Sequence, residues 1–316
     1  MLRPARAGPT GVAALRRGVM TITVRPLHPL FAAELTGADL AAGIDASTRD
    51  AIEAAMDQHA VLVLPGQRLD DEKQAAFAAL YGPLEVSPPV QGKNGGAPAT
   101  PRIQNKHVFD VSNLDENGNI LDLKDQRRAY RQGNELWHTD SSFRQKSAAW
   151  SMLHARVIPP SGADTHFADT RAAYDALPDS TKAKLQGLVA EHSIWHSRAK
   201  LGGYTPTEEE RKARPPAHHP LVRRHPGSGR MALYIASHAS QIHGMPLDEG
   251  RALLAELLEF ATQERFVYVH KWRLGDLVIW DNRCTLHRAT PFESSTHVRD
   301  MRRATVIDVR AEAMSG

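Results

Sequence analysis

In the stretch Asn134–Phe143 (NELWHTDSSF) a histidine and an aspartate stand two residues apart, His138 and Asp140. In extended backbone, positions i and i+2 point to the same side, so the two side chains share a face. One imidazole nitrogen and one carboxylate oxygen make up two thirds of a 2-His-1-carboxylate set. Such a set binds a divalent first-row metal and leaves positions open, as in non-haem Fe(II) oxygenation. With 16 histidines in 316 residues, a His-x-Asp triplet arises easily by chance. The reading therefore depends on a third ligand and on groups to fill the open positions. His287 closes the segment WDNRCTLH (280–287), 149 positions after His138, a separation that only a tertiary fold can bridge. The segment RDMRRAT (299–305) adds guanidinium groups on an expected final strand, with Arg299, Met301 and Arg303 on one face and Arg302 on the other. An arginine among apolar strand residues is costly to bury unless it meets an anion, and a carboxylate matches its fork. From the charges alone, a solvated strand face is an equal alternative.

These residues need a scaffold, and composition bounds it. At 316 residues with 41% hydrophobic content the chain can bury a full core. No run approaches 18 apolar residues, so a membrane span is not expected. The single Cys284 excludes a disulfide framework and suits a reducing cytoplasm. The net charge of +3 is misleading, because Arg3, Arg6, Arg16 and Arg17 all precede Met20 with no acid among them; without those four, 35 basic residues face 36 acidic ones. A nucleic-acid stripe is not indicated. Residues 1–20 lack the apolar core of a secretory signal and, although Arg-rich, hold no Ser; they read as a disordered extension before a working start at Met20, with 21–310 as one domain.

Along the chain, Thr21–Arg25 alternates as a strand and Ser47–Asp50 reads as a capping box opening a helix to about Gln58. Ala60–Leu64 is an expected buried strand, followed by a helix over Asp70–Leu80 that stops at Gly82-Pro83. Pro88–Arg102 reads as a mobile loop and Asp115–Asn119 as a turn, and the polar stretch from there to Gly133 is a lid or an ordinary loop. Strands are expected over Ala149–Ile158 and Asp164–Phe167, and helices over Arg171–Leu177 and Ser180–Val189, the second capped by Ser180 or Asp179. Pro206–Pro220 is a charged excursion, and Leu221-Val222 and Met231–Ile235 flank the hairpin turn Pro226–Gly229. Pro246–Gln263 is amphipathic and helical, and strands Phe266–Trp272 and Leu277–Trp280 follow. Many short strands with helices inserted among them indicate a mainly β fold with a jelly-roll core.

HTD at 138–140, WDNRCTLH at 280–287 and RDMRRAT at 299–305, with PLHPLFAAEL, SMLHARVIPPSGADT, DTRAAYDALP and LLAELLEFATQ between, resemble the taurine/2,4-dichlorophenoxyacetate dioxygenase family, whose members depend on Fe(II) and 2-oxoglutarate. The resemblance runs from Thr21 to Val309 and looks closest to the aryloxyacetate-degrading branch. It implies a double-stranded β-helix core. It also implies His138, Asp140 and His287 as iron ligands, with room left for 2-oxoglutarate and O2, and Thr165 and Arg299 as grips on the distal carboxylate of 2-oxoglutarate. Arg303 matches the anchor of the acidic substrate. Trp280 and Asn134 match pocket positions of the co-substrate, and His192 a substrate contact, each against the alternative of a purely structural role. Arg302 is expected at the surface and Cys284 merely packed. One departure stands out: the lysine expected shortly after Gly82-Pro83-Leu84-Glu85 is absent, and Lys93 is the first to follow. Either Lys93 substitutes or the pocket handles its acid differently.

The implied reaction is hydroxylation of the carbon beside the ether oxygen of an aryloxyacetate such as 2,4-dichlorophenoxyacetate, giving a phenol and glyoxylate with succinate and CO2. The alternatives are a taurine-type hydroxylase of sulfonates or small carboxylic acids and, in another class, a non-catalytic cupin-like metal binder. A zinc hydrolase is disfavoured because no general base stands near the motif. The expected partner is a small acidic aromatic molecule; homo-oligomerisation is implied by the family.

Overall fold

The chain is described by a computed structural model over residues 21–88, 100–200 and 205–310. The 1–20 extension, Lys93 and most of the 88–102 loop lie outside the described residues. Strand β1 (Thr23–Pro26) pairs antiparallel with β2 (Ala33–Thr36), and α1 (Ala46–His59) leads into β3 (Val61–Leu64). The cap of α1 is not within Ser47–Asp50: Asp45 accepts the Thr48 amide at 2.7 Å, because a carboxylate three residues ahead of that amide already satisfies the free end. Helix α2 (Asp71–Ala79) falls within the expected Asp70–Leu80 and is capped by Asp70, and β4 (Phe109–Ser112) follows. The stretch that reads as polar loop contains α3 (Gln126–Gln132), capped by Asp125. Its apolar content is too low for periodicity to reveal it.

Next come β5 (Ala148–Val157), β6 (Thr165–Asp169), α4 (Thr170–Asp175) and α5 (Asp179–Leu185). Helix α5 stops four residues before the expected Val189, where Gly187 takes φ +75° and turns the chain into β7 (Val189–His192). Its N-cap is Pro178, with no side-chain cap. The excursion holds α6 (Ile194–Ala199), α7 (Glu208–Ala213) and β8 (Ala217–Pro220). The expected hairpin is β9 (Val222–Arg224) with β10 (Met231–Leu233). The chain closes through β11 (Ala239–Ile242), α8 (Leu247–Ala261), β12 (Val267–His270), β13 (Leu277–Asp281), β14 (Thr285–Ala289) and β15 (Asp300–Ile307).

The seven-stranded sheet runs β1-β2-β3-β13-β5-β15-β4, and β12-β6-β14 forms a second, three-stranded sheet. Consecutive strands β12 and β13 do not pair with each other; the turn between them carries the chain from one sheet to the other, the hallmark of a sandwich. Alternation along β13 shows the layering. Leu277 and Ile279 pack beneath α1 and α2 with Ile52, Met56 and Phe77, whereas Val278 and Trp280 face the second sheet with Phe167 and Met301. Helices α4 and α8 cover the far side of the second sheet through Ala172, Tyr174, Leu254 and Leu257. The expected jelly-roll core with inserted helices is the architecture found.

Candidate active site

The ligand segment is extended only briefly. His138 forms an isolated antiparallel bridge with His287, His138 N to His287 O at 3.0 Å and His287 N to His138 O at 2.7 Å. The chain then turns through Ser141, whose φ of +56° is left-handed. The bridge itself spans the 149-residue gap and sets the two imidazoles 4.1 Å apart between ring centroids. The second histidine is fixed from β14, where it faces Phe167 of β6. Trp280 backs it, ring centroid 4.8 Å away.

His138, Asp140 and His287 are all buried, and their ligand atoms lie within 4.8 Å of one another, close enough for one ion to bridge. The Nδ1 of His138 is held by the carbonyl of Leu136 at 2.7 Å, which leaves Nε2 as the free lone pair. Burial lowers the pKa of both imidazoles, that of His287 well below its ordinary value, so each is a neutral donor. Burial alone would raise the Asp140 carboxyl, but Arg303, His287 and His138 outweigh it and bring it to about 2. Asp140 is held on both oxygens, Oδ1 by Arg303 and Oδ2 by the Ser151 hydroxyl at 2.7 Å. Two neutral imidazoles and an ionised carboxylate suit a divalent iron.

The orientation of Asp140 is set by Asn282, in the turn after β13. Its Oδ1 accepts the Asp140 amide and the Trp280 indole, both at 3.0 Å, and its Nδ2 donates to Ser151 Oγ at 3.0 Å. Thr139 Oγ1 donates to the Asn282 carbonyl at 2.6 Å. Asn282 stood within a quoted motif, but nothing in its spacing signalled this role. Ser151 likewise opens the segment SMLHARVIPPSGADT without any signal of a role at the ligand.

A second buried group, His225, Asp281 and Cys284, has similar spacing. It is already full. Asp281 accepts from Trp150 Nε1 at 2.9 Å, from His225 Nε2 at 3.0 Å and from the Arg283 guanidinium. Burial pushes its carboxyl up, but Arg283 and His225 outweigh this and hold it far below the usual range. A cation would have to displace another cation there. Cys284 packs against Ala60 and Ala232, as expected.

A cavity of about 910 Å³ opens over the first group, lined by His138, Asp140, Asn134, Phe109, Arg299 and Arg303 among others. Arg299 is only 9% exposed, and burial draws its guanidinium down to about 10, so it stays charged at neutral pH. It borders a smaller cavity of about 280 Å³ together with Trp272, whose indole donates to Thr165 Oγ1 at 3.0 Å. Thr165 thus meets Trp272, a residue sequence reading missed, which shares the wall of that cavity with Arg299. Arg303 stands over the Phe109 ring at 5.1 Å.

Three expectations change. Trp280 lies behind His287 and does not line the cavity; with its indole committed to Asn282, it is a support. His192 is 0% exposed, packed on His219 and Tyr234 and absent from the cavity wall, because alternation in β7 turns it into the protein. Arg302 is no surface residue: its side chain is 11% exposed and pairs with Asp300 and, at 3.5 Å, with Asp71 of α2. Lys93 lies outside the described residues. His238, also unforeseen, borders the cavity with its ring 6.0 Å from that of His138 and Nδ1 at 2.9 Å from Ser197 Oγ.

Comparison with known proteins agrees with this geometry. The sequence profile of the taurine catabolism dioxygenase TauD, TfdA family matches residues 23–305. The chain belongs to that family. Among its relatives in the TauD, TfdA family is an alpha-ketoglutarate-dependent 2,4-dichlorophenoxyacetate dioxygenase of Cupriavidus pinatubonensis, 47% identical across 92% of this chain and 99% of the relative. A (S)-phenoxypropionate/alpha-ketoglutarate-dioxygenase of Sphingobium herbicidovorans is 37% identical across 85% and 90%. A crystal structure of AAD-2 in complex with Mn(II) and N-oxalylglycine superposes with a TM-score of 0.83, at 44% identity over 92% of this chain and 98% of that one.

Proposed function

We propose that this TauD, TfdA family member is an Fe(II)- and 2-oxoglutarate-dependent dioxygenase that cleaves aryloxyacetates. The observation that carries the reading is the buried His138–Asp140–His287 set, whose His138 and Asp140 line a cavity that also presents two arginines, Arg299 and Arg303. In this reading His138, Asp140 and His287 hold the iron. Arg299, with Thr165 beside it, grips the distal carboxylate of 2-oxoglutarate, and Asn134 borders the co-substrate. Arg303 anchors the substrate acid through the part of its fork not engaged by Asp140. Bound iron supplies oxidation coupled to decarboxylation of 2-oxoglutarate. The protein's part is to exclude water, fix both acids by their carboxylates, and hold the carbon beside the ether oxygen nearest the ligands. Aryloxyacetate, 2-oxoglutarate and O2 then yield phenol, glyoxylate, succinate and CO2. The sulfonate-hydroxylating alternative would keep the same ligands and differ in the pocket; the 47% identity to a 2,4-dichlorophenoxyacetate enzyme favours the aryloxy reading. The buried single cysteine supports a cytoplasmic site of action. Among the described residues no helix is long and apolar enough to cross a membrane.

The test is anaerobic loading with Fe(II), followed by air, 2-oxoglutarate and a panel of 2,4-dichlorophenoxyacetate, both phenoxypropionate enantiomers, indole-3-acetate and taurine. Phenol and succinate in equal amounts from an aryloxy acid, lost in His138→Ala, is the expected result. Succinate from taurine alone would move the protein to the sulfonate branch, and no succinate with any of them would overturn the dioxygenase reading.

A further inference from the structure

A guanidinium buried away from water requires an anion or a full set of acceptors. Arg198 of α6 is 7% exposed, and its Nε and Nη1 have no hydrogen-bond partner. Its Cζ lies 4.4 Å from the centre of the Tyr130 ring. Gly133 leaves the space it occupies, since a Cβ there would overlap Nη1. Arg214, just beyond α7, approaches the same tyrosine at its hydroxyl, Nη1 to Oη 3.4 Å. Both arginines line the large cavity. Burial lowers the pKa of Arg198 although the Tyr130 hydroxyl offers it one polar contact that opposes the shift, and the charge of Arg214 adds to the lowering. Two like charges thus share one tyrosine in a pocket wall.

Two acids of that wall are engaged elsewhere, and none of its four acids has a hydrogen bond or ion pair to Arg198 or Arg214 among the described contacts. Asp140 is taken by Arg303 and Ser151, and Asp110 by Arg102 at 2.8 Å. The Glu135 carboxyl is raised by burial. Glu85 keeps a buried Oε1 without a partner. Outside the described residues, 1–20, 89–99 and 201–204 contain no Asp or Glu, and 311–316 hold one acidic side chain, Glu312. The two cationic groups enter from different walls. Arg303 stands on the Asp140 side, whereas Arg198 follows Ser197, which contacts His238 on the His138 side.

We propose that Arg198 and Arg214, on either side of Tyr130, form a second oxyanion site in the substrate cavity. The chain accordingly takes aryloxyacetates that bear a carboxylate or another oxyanion on the ring. This rests on the aryloxyacetate reading above and names the substrate class within it. A dianion would be gripped at both ends, its acetate by Arg303 and its ring substituent by the pair, with the guanidinium forks matching carboxylate geometry.

The experiment compares 4-carboxyphenoxyacetate with phenoxyacetate as substrates of the wild-type holoenzyme and of Arg198→Met, Arg198→Lys and Arg214→Gln. The expected result is a KM at least about tenfold lower for the dianion at low salt, a ratio that shrinks as ionic strength rises. The ratio should collapse toward one in Arg198→Met and Arg214→Gln and be partly kept in Arg198→Lys. A wild-type ratio near one, or a ratio that survives in both charge-removing variants, overturns the proposal. Arg214→Gln, at a partly exposed site, keeps the test in hand if Arg198→Met does not fold. Calorimetric binding of 4-carboxyphenoxyacetate to the protein loaded with Mn(II) and N-oxalylglycine separates the two readings. Binding that depends on Arg198 and Arg214 without any turnover would retain the site and sink the aryloxyacetate reaction; no such binding would sink the site.

Discussion

At the scale of single residues, the metal ligands are ordinary side chains made specific by what holds them. Asp140 sits in a chain of hydrogen bonds that runs from Trp280 through Asn282 to Ser151 and back to its own Oδ2. Asn282 acts on the ligand twice, through the Asp140 amide and through Ser151. Groups that orient a metal's ligands commonly alter affinity by about 10- to 100-fold when removed. Ser151→Ala and Asn282→Ala are therefore expected to weaken Mn(II) binding within that range, while Asp140→Ala removes it altogether. Titration of metal into the apoprotein, followed by calorimetry, checks this. Unchanged affinity in both variants would show that Arg303 alone orients the carboxylate.

At the scale of elements, the turn between β13 and β14 delivers His287, and its base is the fully buried Asp281 network. The carboxylate binds the Arg283 backbone amide at 2.9 Å, the guanidinium, His225 of the β9–β10 hairpin and Trp150 of β5. One group thus ties two strands and a hairpin to the turn. Removing one partner of a buried charge pair leaves the other uncompensated, at a cost of about 3–5 kcal/mol. Asp281→Ala is expected to lose stability of that order in urea unfolding, and Cys284→Ala, which trims a small apolar contact, to lose far less. Comparable losses in the two variants would mean that packing, not the charge network, secures the turn.

Across the whole molecule, acid sensitivity follows from histidines folded in their neutral form. His154 of β5 is buried under α2 with Nε2 at 2.9 Å from the Gln67 carbonyl, and burial lowers its pKa from 6.5 to about 4. Unfolded chains take up that proton below pH 6.5 and the folded protein does not until about pH 4. The stabilising contribution is therefore complete above pH 6.5 and is lost as pH falls toward 4. At about 1.4 kcal/mol per pKa unit the loss reaches up to about 3 kcal/mol from this residue. Urea midpoints measured from pH 7.5 down to 4.5 should fall, and His154→Gln should flatten the decline. A midpoint independent of pH over that window would show the ring is not held neutral.

What could be read along the chain was local or repetitive. The apolar runs of β3 and β13, the alternation of β5 and the amphipathic α8 announced themselves, because short apolar runs, period 2 and period 3.6 are properties of adjacent residues. The hairpin around Pro226–Gly229 did so as well, since turn chemistry lies within a few positions. His138 and Asp140 were legible for the same reason, and His287, Arg299 and Arg303 only through motifs whose joint pattern resembles a family. What distance in sequence concealed was decided by tertiary structure. The bridge between His138 and His287, the seat of Asn282 beneath Asp140 and the meeting of Trp272 with Thr165 join residues more than 100 positions apart. Strand β7 turned His192 into the core and left Arg198, a few residues later, facing the cavity. A side chain's type sets which partners it needs; which partners it meets is settled by packing, where burial removes water and makes each unpaired charge count.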